Sequence, residues 1–387
     1  MKNNDTKGSI VPVSSLIMVA SVMFGSHAGS GFASGNQADK YFIQAGWIGI
    51  FTPFLAIAIM ALINREAIAM YNNHNCKDYR DLFRYLYHPY DKLSILFEIY
   101  FNLMVLVGAS SVLAGAAELL KETGFMSYVS ALLLVGTILL LLTAFGEKVV
   151  AKASTFFSVI IIVTCLTIFI AAISKKGIPD IVNTAISLGT PKGLIKPILS
   201  AFAYAGFCSS VIPALTKTGT LLKTRKDAGK SMLIAFFMNV IPLFLSVFML
   251  FAWCNDYNAA GKSTLPTLFI TQQLGSDLLF VFYYICLMLC LISTGVTVTY
   301  GFVSRFENVL FLKNRIKNKT QRCLIVAFFA LALSTIFSLV GLDNVINYGY
   351  RYMGYFATVT FIIPLLTIGR YKNKKFEKLT KNGEHQL

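Results

Sequence analysis

Apolar residues in this chain come in blocks of roughly twenty, the length of helix that crosses a hydrocarbon core of about 30 Å at 1.5 Å rise per residue. Inside hydrocarbon no water satisfies a backbone N–H or C=O, so such blocks fold as helices packed into a bundle. The composition agrees: 56% of the 387 residues are apolar and only 13% charged. That charged share is about half of what a soluble domain carries. A multi-span, all-α integral membrane protein is therefore expected.

The blocks place ten spans near 9–45, 46–70, 91–120, 127–145, 148–174, 193–216, 228–254, 276–310, 320–340 and 345–369. The first run continues past any small-residue cleavage site, so it reads as a span and not as a signal peptide. The seven cysteines, Cys76, Cys165, Cys208, Cys254, Cys286, Cys290 and Cys323, are odd in number and mostly lie inside apolar runs. They read as small packing residues, without disulfide or zinc spacing.

A net charge of +16 raises the possibility of a nucleic-acid partner, and the positions of the charges decide against it. With the N-terminus inside, the inner segments hold Lys2, Lys7, Lys77, Arg80, Arg84, Lys92, Lys148, Lys152, five basic residues over 217–230, six over 305–322 and the tail 370–381. The outer loops keep only Lys40, Lys121, Lys175, Lys176, Lys192, Lys196 and Lys262. This bias places both termini in the cytoplasm of a cell membrane, and no aromatic-basic module accompanies it. Residues 78–87 read as an amphipathic helix at the inner interface, with 264–274 as its outer counterpart.

Ten spans divide as five plus five, and an odd number per half inverts the second half against the first. One transmembrane domain over 1–387 is expected, with repeats 9–174 and 193–369 and a basic tail 370–387. Spans one and six then correspond, and both are interrupted. Span one reads Phe24-Gly25-Ser26-His27-Ala28-Gly29-Ser30-Gly31-Phe32-Ala33-Ser34-Gly35, and span six reads Tyr204-Ala205-Gly206-Phe207-Cys208-Ser209-Ser210 with Pro213 beyond. Each interior glycine costs a helix about 1 kcal/mol relative to alanine, so both stretches are weak places for continuous helix. A break exposes carbonyls that bind a cation and half-helix ends that attract a carboxylate. The alternative is close helix packing through small residues.

The run Gly29-Ser30-Gly31-Phe32-Ala33-Ser34-Gly35-Asn36-Gln37 resembles the GAGFASGQ signature of the YkvI-type family, membrane proteins with the LeuT-type fold in the amino acid–polyamine–organocation superfamily. Two departures stand out: Ser30 replaces the usual alanine, and Ser26-His27 stands where an apolar pair is common. The resemblance implies a secondary transporter of a small zwitterionic or carboxylate-bearing solute such as an amino acid, coupled to Na+ or H+. A non-transporting receptor on the same fold, like the germination permeases, is the alternative. No cofactor is expected beyond the coupling ion.

The substrate site expected on this reading gathers Ser26, His27, Gly29, Ser30 and Gly31 from the first break, Tyr204, Gly206, Phe207 and Ser209 from the second, and Tyr100 and Asn102 from span three. His27 is a titratable group at membrane depth, suited to a proton relay or a substrate contact, or else a neutral imidazole bonded to freed carbonyls. The resemblance further implies a sodium site of the Gly25 and Ala28 carbonyls with Cys290, Ser293 and Thr294, which share a face of span eight. Membrane-helix hydroxyls also bond their own i−4 carbonyls, which is the competing reading.

Arg351 in span ten needs a counter-charge or an anionic substrate unless it snorkels, and Asp39 is the expected gate partner. Glu98 is expected to pair with Arg65. No HExxH, nucleophile elbow or P-loop is present, and Gly261-Lys262-Ser263 lacks the upstream glycine of the last, so an enzyme is not expected.

Overall fold

A computed structural model describes residues 11–189 and 193–381, with side chains described outside 146–158 and 381. Lys2, Lys7 and Lys192 fall outside the described residues, as do the side chains of Lys148 and Lys152. Among the described residues nine helices are long and apolar enough to cross a bilayer. The tenth span, first in order, fails on length only because it is divided into Val13–His27, Ser30–Ala33 and Asn36–Tyr41.

Span two is Thr52–Asn73, span three Ile95–Glu122, span four Tyr128–Leu141 and span five Glu147–Lys176. The short loop expected between spans four and five is a π-type turn, Leu142–Gly146. Widening the helix keeps backbone groups bonded where a bare loop would orphan them. Span six is divided into Ile195–Cys208, a 3-10 turn Ser209–Val211, and Ile212–Thr218. Spans seven, eight and nine are Arg225–Ala259, Asp277–Phe306 and Lys319–Ser338, and span ten runs from Leu342 through π-type turns to Gly369.

Local chemistry sets several of these starts. Thr224, Ser276, Ser127 and Asn318 each accept from a backbone N–H in the first turn of spans seven, eight, four and nine, relieving donors that a helix end leaves unbonded. Packing then interleaves the two halves: span two lies along span seven, span one along span seven, and span eight against spans three and five, while the first part of span six packs along span ten within the second half.

The face of the bundle that carries the basic loops is tied together by one carboxylate. Glu66 is fully buried near the end of span two and accepts from Arg225 Nε at 2.9 Å and Nη2 at 2.6 Å, and from Arg65 Nη2 at 2.6 Å. Asn373 Nδ2 adds 2.9 Å to the carboxylate and 3.0 Å to the Glu66 carbonyl. Asn373 lies on Arg370–Lys381, so the described part of the expected tail is a helix that continues span ten and folds against span two, and 382–387 lie outside the described residues. Lys372 Nζ on the same helix donates to the carbonyls of Tyr85, Leu86 and His88.

Those carbonyls end the helix Tyr79–Tyr87, the amphipathic helix expected over 78–87, whose first turn Asp78 caps. Its buried side holds Leu82, Phe83 and Leu86, with Phe83 stacked on Phe97 at 3.9 Å. Two expectations need correction. Glu98 pairs with Arg80 at 3.1 Å and Arg305 at 3.2 Å, because its side chain turns toward this helix and span eight; Arg65 is taken by Glu66. The helix Pro266–Gln273 is not interfacial, since Pro266, Thr267, Leu268, Ile270 and Thr271 are buried and the Thr267 N–H donates to the Ser34 carbonyl.

Replacing Glu66 by alanine leaves Arg225 and Asn373 facing a buried gap, a loss of about 3 kcal/mol on the scale of broken buried pairs. Thermal unfolding in detergent should show Glu66→Ala melting well below the parent, with Arg84→Ala, an exposed pair member, unchanged within error. Equal midpoints for both variants would refute the role given to Glu66.

Candidate functional site

The first break begins where the Ala28 N–H makes the last turn's bond to Phe24. Gly29 is extended at φ −94° and ψ −168°, and helix resumes at Ser30. A second interruption follows at Gly35, whose φ of +78° is the left-handed region and whose absent Cβ would lie 2.5 Å from Thr267 Oγ1. Only glycine meets both conditions. Gly31 has an ordinary negative φ, but a Cβ there would fall 2.3 Å from Gln37 Nε2, so a larger residue would have to displace the end of that side chain.

The second break lies later than the small-residue run suggests. Tyr204 to Cys208 remain α-helical and the 3-10 turn occupies Ser209–Val211. Pro213 explains the shift: lacking an N–H, it withdraws a bond from the turn immediately before it. Gly206 serves packing, since a Cβ on it would lie 2.3 Å from the Gly354 carbonyl oxygen, so spans six and ten touch backbone to backbone. Its own carbonyl accepts from Tyr100 Oη at 2.6 Å, and that of Phe207 at 3.1 Å.

Between the two breaks lies a cavity of about 170 Å³, walled by Ser26, His27, Gly29, Ser30, Gly31 and Phe207 among the expected residues. A second cavity of about 410 Å³ extends from it toward the basic face, past Val22, Gly25, Phe101, Ala214 and Gly301. Ser26, Gly29, Met104, Ser210, Thr294 and Val298 border both. His27 is buried, and its Nε2 lies 2.7 Å from Tyr204 Oη. Tyr204 is fixed in turn by the rings of Phe42 and Phe207, each 4.9 Å away.

Several expected residues stand behind the wall instead of in it. Tyr100 and Tyr204 act through the hydrogen bonds just given. Ser209 Oγ donates to the Ala205 carbonyl at 2.7 Å and Asn102 Nδ2 to that of Glu98 at 2.8 Å, each bonding back four residues along its own helix. The wall of span three is Met104, Gly108 and Val112, a helical stripe whose spacing with Phe101 and Val105 was available in the sequence. Gln37, Cys208, Ser210 and Tyr350 were also missed; Ser210 lies in the turn to which the break is displaced.

Of the expected sodium ligands, Thr294 borders both cavities and Gly25 the second. Ser293 and Cys290 are buried together, with Ser293 Oγ donating to the Cys290 carbonyl at 3.1 Å, and Ala28 is buried. The hydroxyl of Ser293 is therefore engaged on its own helix.

At the face opposite the basic loops a buried polar lid closes over the site. Asn36 is 0% exposed, Asp39 5% and Lys40 7%. Lys40 Nζ lies 3.2 Å from Asp39 and 3.5 Å from Asp343, while Asn36 Nδ2 donates to Asp343 and to the Thr264 carbonyl, both at 2.7 Å. Tyr257 Oη donates to Asp39 at 2.6 Å. The expected Asp39–Arg351 pair does not form: Arg351 donates to the Lys40 carbonyl at 2.6 Å and lies over the Tyr41 ring, and Asp39 is satisfied by Lys40 and Tyr257.

No family model matches the chain. Over 127 residues it is 28% identical to the uncharacterized membrane protein YkvI of Bacillus subtilis (strain 168), a match that spans 32% of this chain and 36% of that protein's length. Among solved structures it is similar to a Na+-coupled sialic acid symporter in a substrate-bound outward-open state, with a TM-score of 0.60, 14% identity, and 90% of this chain and 78% of that one covered. MhsT in complex with L-phenylalanine gives 0.59 at 13% identity, covering 96% and 99%. Mhp1 in its inward facing conformation gives 0.52 at 11% identity, covering 93% and 91%. These likenesses establish the fold, a LeuT-type bundle of five plus five helices with spans one and six broken.

Asp343 is the lid member shared by Asn36, Lys40 and Thr264, so Asp343→Asn should loosen the lid. Cys208 on the cavity wall is a native reporter. Its alkylation by a membrane-impermeant maleimide added on the lid side, followed by peptide mass spectrometry, should rise at least several-fold in the variant. An unchanged rate would show that these contacts do not seal the site.

Proposed function

We propose that this protein is a secondary active transporter that carries a small zwitterionic or carboxylate-bearing solute, such as an amino acid, by alternating access around the two broken helices. One observation carries the reading: the cavity bounded by both breaks continues toward the basic face, while the opposite face is latched over it. With the basic face cytoplasmic, as the loop charges require, this is an inward-facing arrangement. The similarity to a Na+-coupled sialic acid symporter and to MhsT with bound L-phenylalanine supports the same class.

The wall suits such a solute. Among the described residues it offers His27, Gln37, Ser26, Ser30 and Ser210 as hydrogen-bonding partners for a carboxylate, and aromatic area from Phe32, Phe207 and Tyr350 for a side chain. Among the described residues no carboxylate side chain lines either cavity, so an ammonium group would be held by carbonyls freed at the first break. Thr294 and the Gly25 carbonyl are the candidates for a co-transported sodium ion, and His27 for a proton. Either ion couples transport only through unequal affinity for the two orientations.

Uptake of amino acids into proteoliposomes, with sodium and proton gradients imposed separately, tests this. Thr294→Ala should abolish sodium-driven accumulation and spare a proton-driven one; His27→Ala should do the reverse. Gradient-independent binding without accumulation, seen as ligand-dependent thermal stabilisation, would instead identify a receptor. A C-terminal reporter accessible only from outside the cell would overturn the orientation.

A further inference from the structure

Away from the breaks, the surface between spans two and seven is notched at the basic face, enclosing about 660 Å³. Its floor is low because the residues there are small: Ala58 and Ala61 on span two and Gly229 on span seven, where a Cβ would already meet the Arg65 stem at 3.4 Å. Its flanks are Leu62, Leu233 and Phe236, with Leu62 and Leu233 43% and 59% exposed on the outside of the bundle. From Arg225 to Phe236 the notch follows span seven for about 16 Å, close to half the thickness of a hydrocarbon core.

One end is apolar and the other is basic. Arg65, Arg225, Lys226 and Lys230 crowd the end at the loops. Glu66 takes part of the charge of both arginines, Glu377 lies 3.7 Å from Arg225, and Asp227 lies 4.0 Å from Lys230. No carboxylate pairs with Lys226 among the described residues, so four cations face three carboxylates and positive charge is left over at the interface.

We propose that this notch binds one anionic phospholipid from the leaflet at the basic face. Lys226 and Lys230 hold its phosphate, the outer edge of Arg65 adds a donor, and an acyl chain lies along Leu62, Leu233 and Phe236. The pattern fits this occupant because a phosphate on an acyl chain presents its charge and its apolar length in the order the notch does. A water-soluble phosphate would leave the apolar flanks bare, and a zwitterionic lipid would not neutralise the surplus charge. The site is independent of the central cavity, with which it shares no residue.

The test uses the full-length protein, stripped of lipid in detergent and titrated with phosphatidylglycerol, phosphatidylcholine or glycerol 1-phosphate, with native mass spectrometry and thermal unfolding as readouts. One phosphatidylglycerol should bind per chain and raise the melting temperature, with at least tenfold preference over phosphatidylcholine. Lys226→Ala/Lys230→Ala should weaken that binding roughly thirtyfold, the order expected for removing two basic groups beside an anionic headgroup. Lys374→Ala/Lys375→Ala removes equal charge from an exposed stretch of the terminal helix outside the notch and should change binding less than twofold. Equal losses in the two double variants would reduce the effect to general attraction and overturn the site. Equal binding of phosphatidylcholine, or stabilisation by glycerol 1-phosphate as strong as by the lipid, would overturn it too. Both variants should melt like the parent without lipid, which separates a binding loss from misfolding.

Discussion

A backbone group that leaves its helix inside hydrocarbon must find another partner, and much of this structure answers that demand. The breaks in spans one and six, and the end of span one at Tyr41, leave carbonyls to be satisfied, and side chains of other spans come to meet them. Tyr283 of span eight donates to the Ala33 carbonyl at 2.7 Å, Ser200 of span six to that of Tyr41 at 2.8 Å, and Arg351 of span ten to that of Lys40 at 2.6 Å. Tyr100 of span three does the same for Gly206 and Phe207 of span six. Local weakness in two helices is thereby converted into ties between helices, so the broken segments hold the middle of the bundle together. The same ties leave a cavity wall of backbone and small side chains.

That logic also divides what the sequence reveals from what it hides. Span lengths, basic loops and the glycine-serine runs were legible because each follows from a property of the residues themselves: apolar length, charge, or low helix propensity. Which face of a span looks inward was not. A helix surrounded by lipid and other apolar helices is hydrophobic all round, so periodicity carries little directional signal. Tyr100 and Met104 lie four residues apart on one face of span three, yet Met104 lines the cavity and Tyr100 is spent on carbonyls of span six. Gly206 looked like part of a break and is a contact between backbones, a distinction that depends on Gly354 in a span 148 residues away.

Charge pairing was hidden for a related reason. Depth and sign match Asp39 with Arg351, whereas the partner Asp39 uses is its own neighbour Lys40 at one oxygen, with Tyr257 donating to the other. Asp343, which completes the lid, lies beyond span nine in a stretch with no distinguishing motif. A buried carboxylate can be expected to have a partner, but sequence does not say which of several cations the fold brings within reach.

The two polar clusters at the ends of the bundle differ in what they join, and this bears on which way the cavity faces. Glu66 links span two, span seven and the terminal helix, none of which contributes a residue to the wall of either cavity. It can therefore stay intact while the second cavity meets the basic face. The lid links span one, span ten and the segment between spans seven and eight, and it bears directly on Gly35 through Thr267. Opening that side must separate Lys40 from Asp343 and move the outer part of span one relative to the helix Pro266–Gln273. On the proposed transport reading the hinges for such movement are the interruptions at Gly29 and Gly35, which flank the short helix Ser30–Ala33 and Ser34. A solute bound against that short helix would then alter the cost of moving it, which is the differential interaction that a change of access requires.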